Sequence, residues 1–266
     1  MLALIRGAGD IASGIALRLW RCGFGVVMTE IERPTTIRRT VAFSDVVVRG
    51  EQNVEGVTAR RAESVVEARE LLAQGLLPVL VDPDCACRIE LRPDALVDAI
   101  LAKRNLGTSI TDAPVVVGVG PGFTAGMDCH AVVETMRGHT LGRVIYDGPA
   151  LPNTNIPGLI GGFAGERVLR APADGTFLGA HKIGDRVEAG DIVGTVAGLP
   201  MTATIGGVLR GLIADGVEVK KGMKSGDVDP RGKAEYCRTA SDKALAVGGG
   251  VLEAILHFSE ENHHGK

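Results

Sequence analysis

Gly7, Gly9 and Ala12 stand in the spacing G-x-G-x-x-A directly after the apolar run Leu2–Ile5, and Glu30 follows on a second apolar run. A tight glycine turn lets backbone approach a phosphate, and the helix that follows offers unpaired N–H groups to an anion. Glu30 at this distance suits a ribose hydroxyl. Asp10 works against a pyrophosphate unless it caps the helix instead. Arg6 lies at the strand end, and Arg33, Arg38 and Arg39 form either phosphate contacts or a solvated loop. Asp82, followed by Asp84, Cys85 and Cys87, projects from the carboxyl end of the run Leu76–Val81, the edge where open α/β sheets place ligands. A second glycine-rich strand exit runs from Gly118 through Gly120 and Gly122 to Gly126.

The densest polar group beyond these is Asp128, Cys129, His130, Glu134, Arg137, Gly138, His139 and Arg143, with Asn153 and Asn155 nearby. On a helix His130 and Glu134 would share one face, as an acid/base pair requires; a metal would need a third ligand from elsewhere. Arg137 and His139 suit an oxyanion. The expected cofactor-binding set is therefore Gly7, Gly9, Asp10, Ala12, Glu30, Asp82, Gly118, Gly120 and Gly122, and the expected substrate or anion set is Arg38, Asp128, His130, Glu134, Arg137 and His139. No catalytic residue and no metal site is assigned. Cys85-Ala86-Cys87 is too tight for a C-x-x-C metal corner; it is either a pair of buried thiols or, with Cys129, a group that binds soft species or cycles between thiol and disulfide. Nothing matches a Ser-His-Asp elbow, a P-loop lysine or a deaminase signature.

These residues need elements to hold them. A strand at 2–5, a helix through Ile15, Leu17, Leu19 and Trp20 ended by Gly23, and a strand at 25–30 make a β-α-β unit. A helix over 63–72, a strand over 76–81, a helix from Pro93-Asp94 through Ile100 and Leu101, a strand over 115–119 and a helix-like stretch over 131–136 follow. The fold class expected for residues 1–165 is α/β, a Rossmann-like doubly wound parallel sheet that binds a nucleotide or phosphate. From 166 to 232 short valine- and isoleucine-bearing runs alternate with glycines, and a gap-free shift of 32 residues superposes Gly175, Gly184, Val187, Gly190 and Gly194 on Gly207, Gly216, Val219, Gly222 and Gly226. These phrases resemble the halves of a biotinyl/lipoyl barrel-sandwich module, a small all-β unit. Its modified lysine would fall within Val196–Thr202, where none stands, so no swinging arm is expected. Residues 233–262 are expected to form a C-terminal helical segment packing back on the first domain, with Gly248-Gly249-Gly250 marking a break or a close ligand approach.

The 266 residues include 37 glycines, with 45% hydrophobic and 23% charged residues, which excludes fibre and disorder. Lys and Arg number 29 against 32 Asp and Glu, and aromatics are 3%, so there is no basic field or stacking platform for nucleic acid. No apolar run suits a signal peptide or a membrane span, and five cysteines in no framework spacing fit a reducing compartment. A cytoplasmic protein is expected, without nucleic-acid or membrane partners. A homo-oligomer is left open. The polar tail Asn262–Lys266 is given no role.

Arg6–Gly14, Val97–Asn105, Gly118–Gly126, Glu134–His139, Gly226–Gly232 and Ser241–Glu253 together resemble the YqeB-type accessory proteins of selenium-dependent molybdenum hydroxylases, and the N-terminal half is similar to XdhC-type maturation factors. The resemblance implies an accessory or maturation role beside a xanthine dehydrogenase-like client, and a ligand that is an NAD-like nucleotide or a molybdenum-pterin phosphate compound. An NAD-dependent oxidoreductase and a non-enzymatic docking scaffold for the hydroxylase are the alternatives.

Overall fold

The structure is a computed structural model that describes residues 1–154 and 156–264. Asn155, Gly265 and Lys266, named above, lie outside the described residues. The chain divides into two compact units: Met1–Pro34 with Ala42–Asn153 and Ala240–Lys266, and Thr35–Val41 with Thr154–Thr239.

The first unit runs β1 (Leu2–Arg6), α1 (Asp10–Arg21), β2 (Gly25–Glu30), α2 (Val46–Arg49), β3 (Glu51–Val54), β4 (Val57–Ala62), α3 (Val65–Ala73), β5 (Leu77–Val81), α4 (Arg88–Leu91), β6 (Ala95–Asp98), β7 (Val115–Val119), β8 (Thr124–Ala125), β9 (Ala131–Val133), β10 (Val144–Ile145) and β11 (Gly148–Pro149). One nine-stranded sheet has the order β10-β9-β7-β6-β1-β2-β5-β4-β3, parallel from β9 to β4 with an antiparallel strand at each edge. The central strands are continuous apolar runs because both faces are covered; all five residues of β7 are buried. Leu4, Val27, Leu80, Leu96, Val116 and Val132 share one core with Val65, Ala68 and Leu71 of α3.

The second unit holds β12 (Val168–Arg170), β13 (Gly175–Gly179), β14 (Arg186–Val187), β15 (Ile192–Val196), β16 (Leu199–Thr202), β17 (Gly207–Leu212), β18 (Glu218–Val219) and β19 (Lys224–Asp229). They form two four-stranded antiparallel sheets, β12-β19-β17-β14 and β16-β15-β13-β18, around Phe177, Val193, Leu209 and Val228. The 32-residue repeat is physical: β13, β14 and β15 return as β17, β18 and β19. The chain closes with α5 (Asp242–His264) in the first unit.

The Rossmann-plus-barrel-sandwich expectation is therefore corrected. In the large sheet β5 lies between β2 and β4, and the β6-to-β7 and β7-to-β9 connections carry no helix, so the sheet is not doubly wound in the Rossmann manner. The helices expected over 93–105 and 131–136 are the strands β6 and β9. The β unit is no 166–232 barrel-sandwich: Thr35–Val41 belongs to it, and Ile37 O accepts from Leu212 N at 2.8 Å.

The triple glycine does not break α5. A Cβ on Gly14 of α1 would fall 2.5 Å from Ala244 Cβ, and one on Gly248 would fall 2.9 Å from Gly14 O. On Gly250 it would strike the carbonyl oxygen of Gly142. Gly14, Gly248 and Gly250 let α5 lie against α1 and the 142 turn. The close approach is to the protein's own backbone.

Candidate functional site

Parallel pairing brings the carboxyl ends of β1, β2 and β5 to one edge, and the sequence places charge and sulfur at each. Arg6 ends β1 almost fully buried. Its Nε and Nη2 donate to Pro83 O at 3.2 and 3.1 Å, its Nη1 donates to Thr108 Oγ1 at 3.0 Å, and Nη1 lies 3.4 Å from Asp98 Oδ2. Nη1 and Nη2 each donate to Leu106 O at 3.2 Å. Thr108 Oγ1 donates to Asp98 Oδ2 at 2.6 Å. Arg6 is thus a clamp that ties the loops leaving β5 and β6 to the end of β1, with its charge met by Asp98.

Glu30 ends β2. Its Oε2 accepts from Ala8 N at 3.0 Å and its Oε1 from Ile31 N at 2.8 Å. Burial raises its carboxyl pKa, against the lowering effect of both backbone N–H bonds. An amide of the glycine turn is therefore held by the carboxylate expected to meet a ribose. Gly7 N donates to Thr29 O at 2.9 Å, and a Cβ on Gly7 would lie 3.1 Å from Ala99 O. Gly9 is the N-cap of α1 with an ordinary φ of −66° and no side-chain cap. Asp10 is the first residue of α1, where a carboxylate complements the helix dipole, and Ala12 is buried in the packing of α1.

Asp82 follows β5. Its N donates to Glu30 O at 3.1 Å and its Oδ2 accepts from Cys87 N at 2.7 Å. Cys85 is buried and left-handed at φ 55°, and Cys87 is half-buried. Hydrogen bonding between the two thiols lowers the Cys85 pKa and raises that of Cys87. Burial and the Asp82 charge oppose the lowering at Cys85, and Thr29 and Arg6 add smaller effects that favour its thiolate.

The second glycine exit closes on itself. A Cβ on Gly118 would fall 2.5 Å from Phe123 Cγ, one on Gly120 2.7 Å from Thr135 Oγ1, and one on Gly122 2.5 Å from Arg104 N. Gly120 and Gly122 take φ of 78° and 113°, so the turn needs them. These glycines pack the loop. Asp128 Oδ2 accepts from Thr124 N at 2.8 Å within it.

His130 and Glu134 flank the strand β9 and are not one helical turn apart; four extended residues span about 13 Å. His130 stands at the entry of β9, the opposite sheet edge from Glu30 and Asp82. Its Nδ1 accepts from Val116 N at 2.9 Å, its ring lies 5.4 Å from that of Phe258, and burial lowers its pKa. Glu134 accepts from Met136 N and Leu151 N at 2.7 and 2.8 Å. Arg137 makes a two-pronged pair with Asp242 at 2.7 and 3.0 Å, and His139 is exposed. Arg38 belongs to the second unit, where its Nη2 donates to Tyr236 O and Thr239 O at 3.0 and 3.3 Å. Cys129 is in the core, its thiol pushed up to about 11 chiefly by burial. Among the described residues no group of three or more His, Cys, Asp and Glu could hold a metal ion. No helix of the described residues is long and apolar enough to cross a membrane.

Sequence reasoning missed the Arg6–Asp98–Thr108 network. Its one signal was a lone arginine inside an apolar strand.

Fold and site together define an α/β unit with a polar, thiol-bearing strand-exit edge, in a chain that also holds a two-sheet β unit. The chain is 54% identical over 255 residues to the uncharacterized protein YqeB of Escherichia coli K12, covering 96% of this chain and 47% of that protein. It thus spans about half the length of that curated relative. No family model matches it. Among solved structures, an aspartoacylase family protein from Mesorhizobium loti shares 11% identity with a TM-score of 0.28, covering 85% of this chain and 84% of that one. A succinylglutamate desuccinylase from a Silicibacter species shares 13% identity with a TM-score of 0.25 at the same coverages.

Proposed function

We propose that the chain is part of an accessory factor for a molybdenum hydroxylase and holds a small phosphorylated ligand, a nucleotide or a molybdenum-pterin compound, at the strand-exit edge of its large sheet. The client and the molybdenum rest on the motif resemblance of the sequence. The observation that carries the ligand site is the meeting of the β1, β2 and β5 ends with the amino end of α1, a helix of 12 residues whose first N–H groups have no partner within the helix. Gly9, the partly exposed N-cap, is where a phosphate would approach.

The occupied Glu30 separates this reading from an NAD-dependent oxidoreductase. Both its oxygens already accept backbone N–H bonds, so a ribose diol would have to displace one of them. A docking role for the second unit is compatible with the same site.

Native mass spectrometry of gently purified protein, set against its denatured mass, tests the ligand. A phosphorylated compound should be retained by the wild type and lost in Gly9→Val, which adds bulk without backbone strain because φ is −66°. Thermal unfolding should stay within about 2 °C, the effect of less than 1 kcal/mol in a chain of this size. Retention of the compound by Gly9→Val would overturn the site; an empty wild type would overturn stable binding and favour the docking scaffold.

A further inference from the structure

The strand-exit edge carries a group that ligand binding leaves unused. Cys85 and Cys87 are two residues apart at the end of β5, and the turn that presents them is tightly built. Asp82 O accepts from Cys85 N at 3.1 Å, Asp82 Oδ2 from Cys87 N at 2.7 Å, and Cys85 O from Arg88 Nη1 at 3.0 Å. Cys85 takes φ of 55°, a conformation costly for a residue with a Cβ. Cys85 and Asp82 are the side chains whose hydrogen bonding keeps the proton on Cys87. The Thr29 hydroxyl, fully buried and without a hydrogen-bond partner, favours the Cys85 thiolate, and the Arg6 guanidinium is tied to the same turn through Pro83 O. A pair of merely buried thiols needs neither a donor hydroxyl nor a cation. This surrounding is built to hold one negative charge on sulfur.

We propose that Cys85 and Cys87 are a redox-active dithiol that exchanges with small disulfides to form an intrachain disulfide. The pair shares one proton and titrates as a unit. Cys87 is the sulfur a small molecule can reach. With the shared proton on Cys85, the Cys87 thiolate attacks one sulfur of a disulfide such as oxidised glutathione. The S–S bond breaks, a mixed disulfide forms on Cys87, and one glutathione thiolate leaves with the electron pair and takes up the Cys85 proton. Cys85, now a thiolate stabilised by Thr29 and Arg6, attacks the Cys87 sulfur and expels the second glutathione thiolate, which is protonated from solvent. The sum starting from the singly deprotonated pair and one solvent proton is one protein disulfide and two molecules of reduced glutathione. Two electrons have passed from the protein to the small disulfide. Cys129 takes no part: its thiol stays protonated in the core.

Asp82 N donates to Glu30 O, so the 82–88 turn is hydrogen-bonded to the neighbouring strand end. The test uses the full chain carrying Cys22→Ser, which removes the exposed cysteine. The protein is equilibrated with reduced and oxidised glutathione at set ratios, quenched in acid, alkylated and mapped by mass spectrometry. The expected result is loss of two alkylable thiols together, with the disulfide inside one peptide spanning 85–87 and reversed by dithiothreitol. Cys85→Ser should stop at a glutathione adduct on Cys87, and Cys87→Ser should give no intrachain disulfide. Full alkylation of the cysteines at every ratio would overturn the proposal, as would a disulfide that omits Cys85 or Cys87. The outcome is independent of retained ligand, so it fails or stands apart from the binding reading. If Cys85→Ser fails to fold, the rate of alkylation of the Cys22→Ser chain against pH decides: a reactive thiol titrating well below the ordinary cysteine range supports the pair, and one at or above that range overturns it.

Discussion

Glu30 shows how a residue can be found for one reason and used for another. Its place one strand after the glycine turn is what a ribose acceptor requires, yet its carboxylate spends both oxygens on the backbone N–H groups of Ala8 and Ile31. Burial raises its pKa, so the native state holds the proton more tightly than the unfolded chain does. The stabilisation from that proton is complete below the unfolded carboxyl pKa and is lost as pH rises through the higher folded value. Glu30→Gln cannot ionise and escapes this loss. The melting temperature of the variant minus that of the wild type should therefore become more positive from about pH 4 to about pH 7. Each kcal/mol would appear as about 2–4 °C in a chain of this size. Parallel melting curves across that range would show that burial does not govern the group. Arg6 was legible only as an oddity, because its partners Pro83, Asp98, Leu106 and Thr108 arrive from loops that a linear reading cannot bring together.

Elements were legible where length and pattern were both strong. The β1-α1-β2 unit has a helix of 12 residues with a clear apolar stripe, and it stands where the sequence indicates. Strands β6 and β9 were misread as helices for one reason: Leu96-Val97 and Ala131-Val132-Val133 are short apolar runs, and periodicity cannot tell a fully buried strand from a helix over four residues. The flanking Pro93-Asp94 then mimicked a helix start. α5 posed the reverse problem, since three consecutive glycines weaken a helix by about 1 kcal/mol each. The packing of α5 separates them by role. A Cβ on Gly249 meets nothing within 4 Å, whereas one on Gly250 strikes the Gly142 carbonyl. Gly249→Ala should stabilise the protein by about 0.5–1 kcal/mol through helix propensity. Gly250→Ala should cost about 1–3 kcal/mol through overpacking, despite the same propensity gain. Urea unfolding of the two variants checks this, and equal shifts of the same sign would remove the packing account of the triple glycine.

At the scale of the whole molecule the sequence shows two compositions, and it does not show that the chain crosses between units more than once. Arg38 and Arg39 read as phosphate contacts because they are basic and follow Glu30. In the structure residues 35–41 are part of the β unit. Ile37 O accepts from Leu212 N at 2.8 Å, Arg39 Nε donates to Leu212 O at 2.9 Å, and Arg38 Nη2 donates to Tyr236 O and Thr239 O. Ile37 also packs on the core of Phe177, Leu209 and Val228. No local pattern encodes this, since the partners lie more than 170 residues away. At about 1 kcal/mol for each hydrogen bond and about 1 kcal/mol for the partly buried Ile37, the segment contributes on the order of 5 kcal/mol, comparable to the whole stability of a small domain. A fragment of residues 154–239 should accordingly lack a cooperative thermal transition. Adding a peptide of residues 33–43 should restore one, with a midpoint that rises with peptide concentration because the peptide binds only the folded form. Circular dichroism of the fragment with and without the peptide is the measurement. A fragment that melts cooperatively alone, at a midpoint the peptide does not move, would mean that the 35–41 segment decorates the β unit without completing its core.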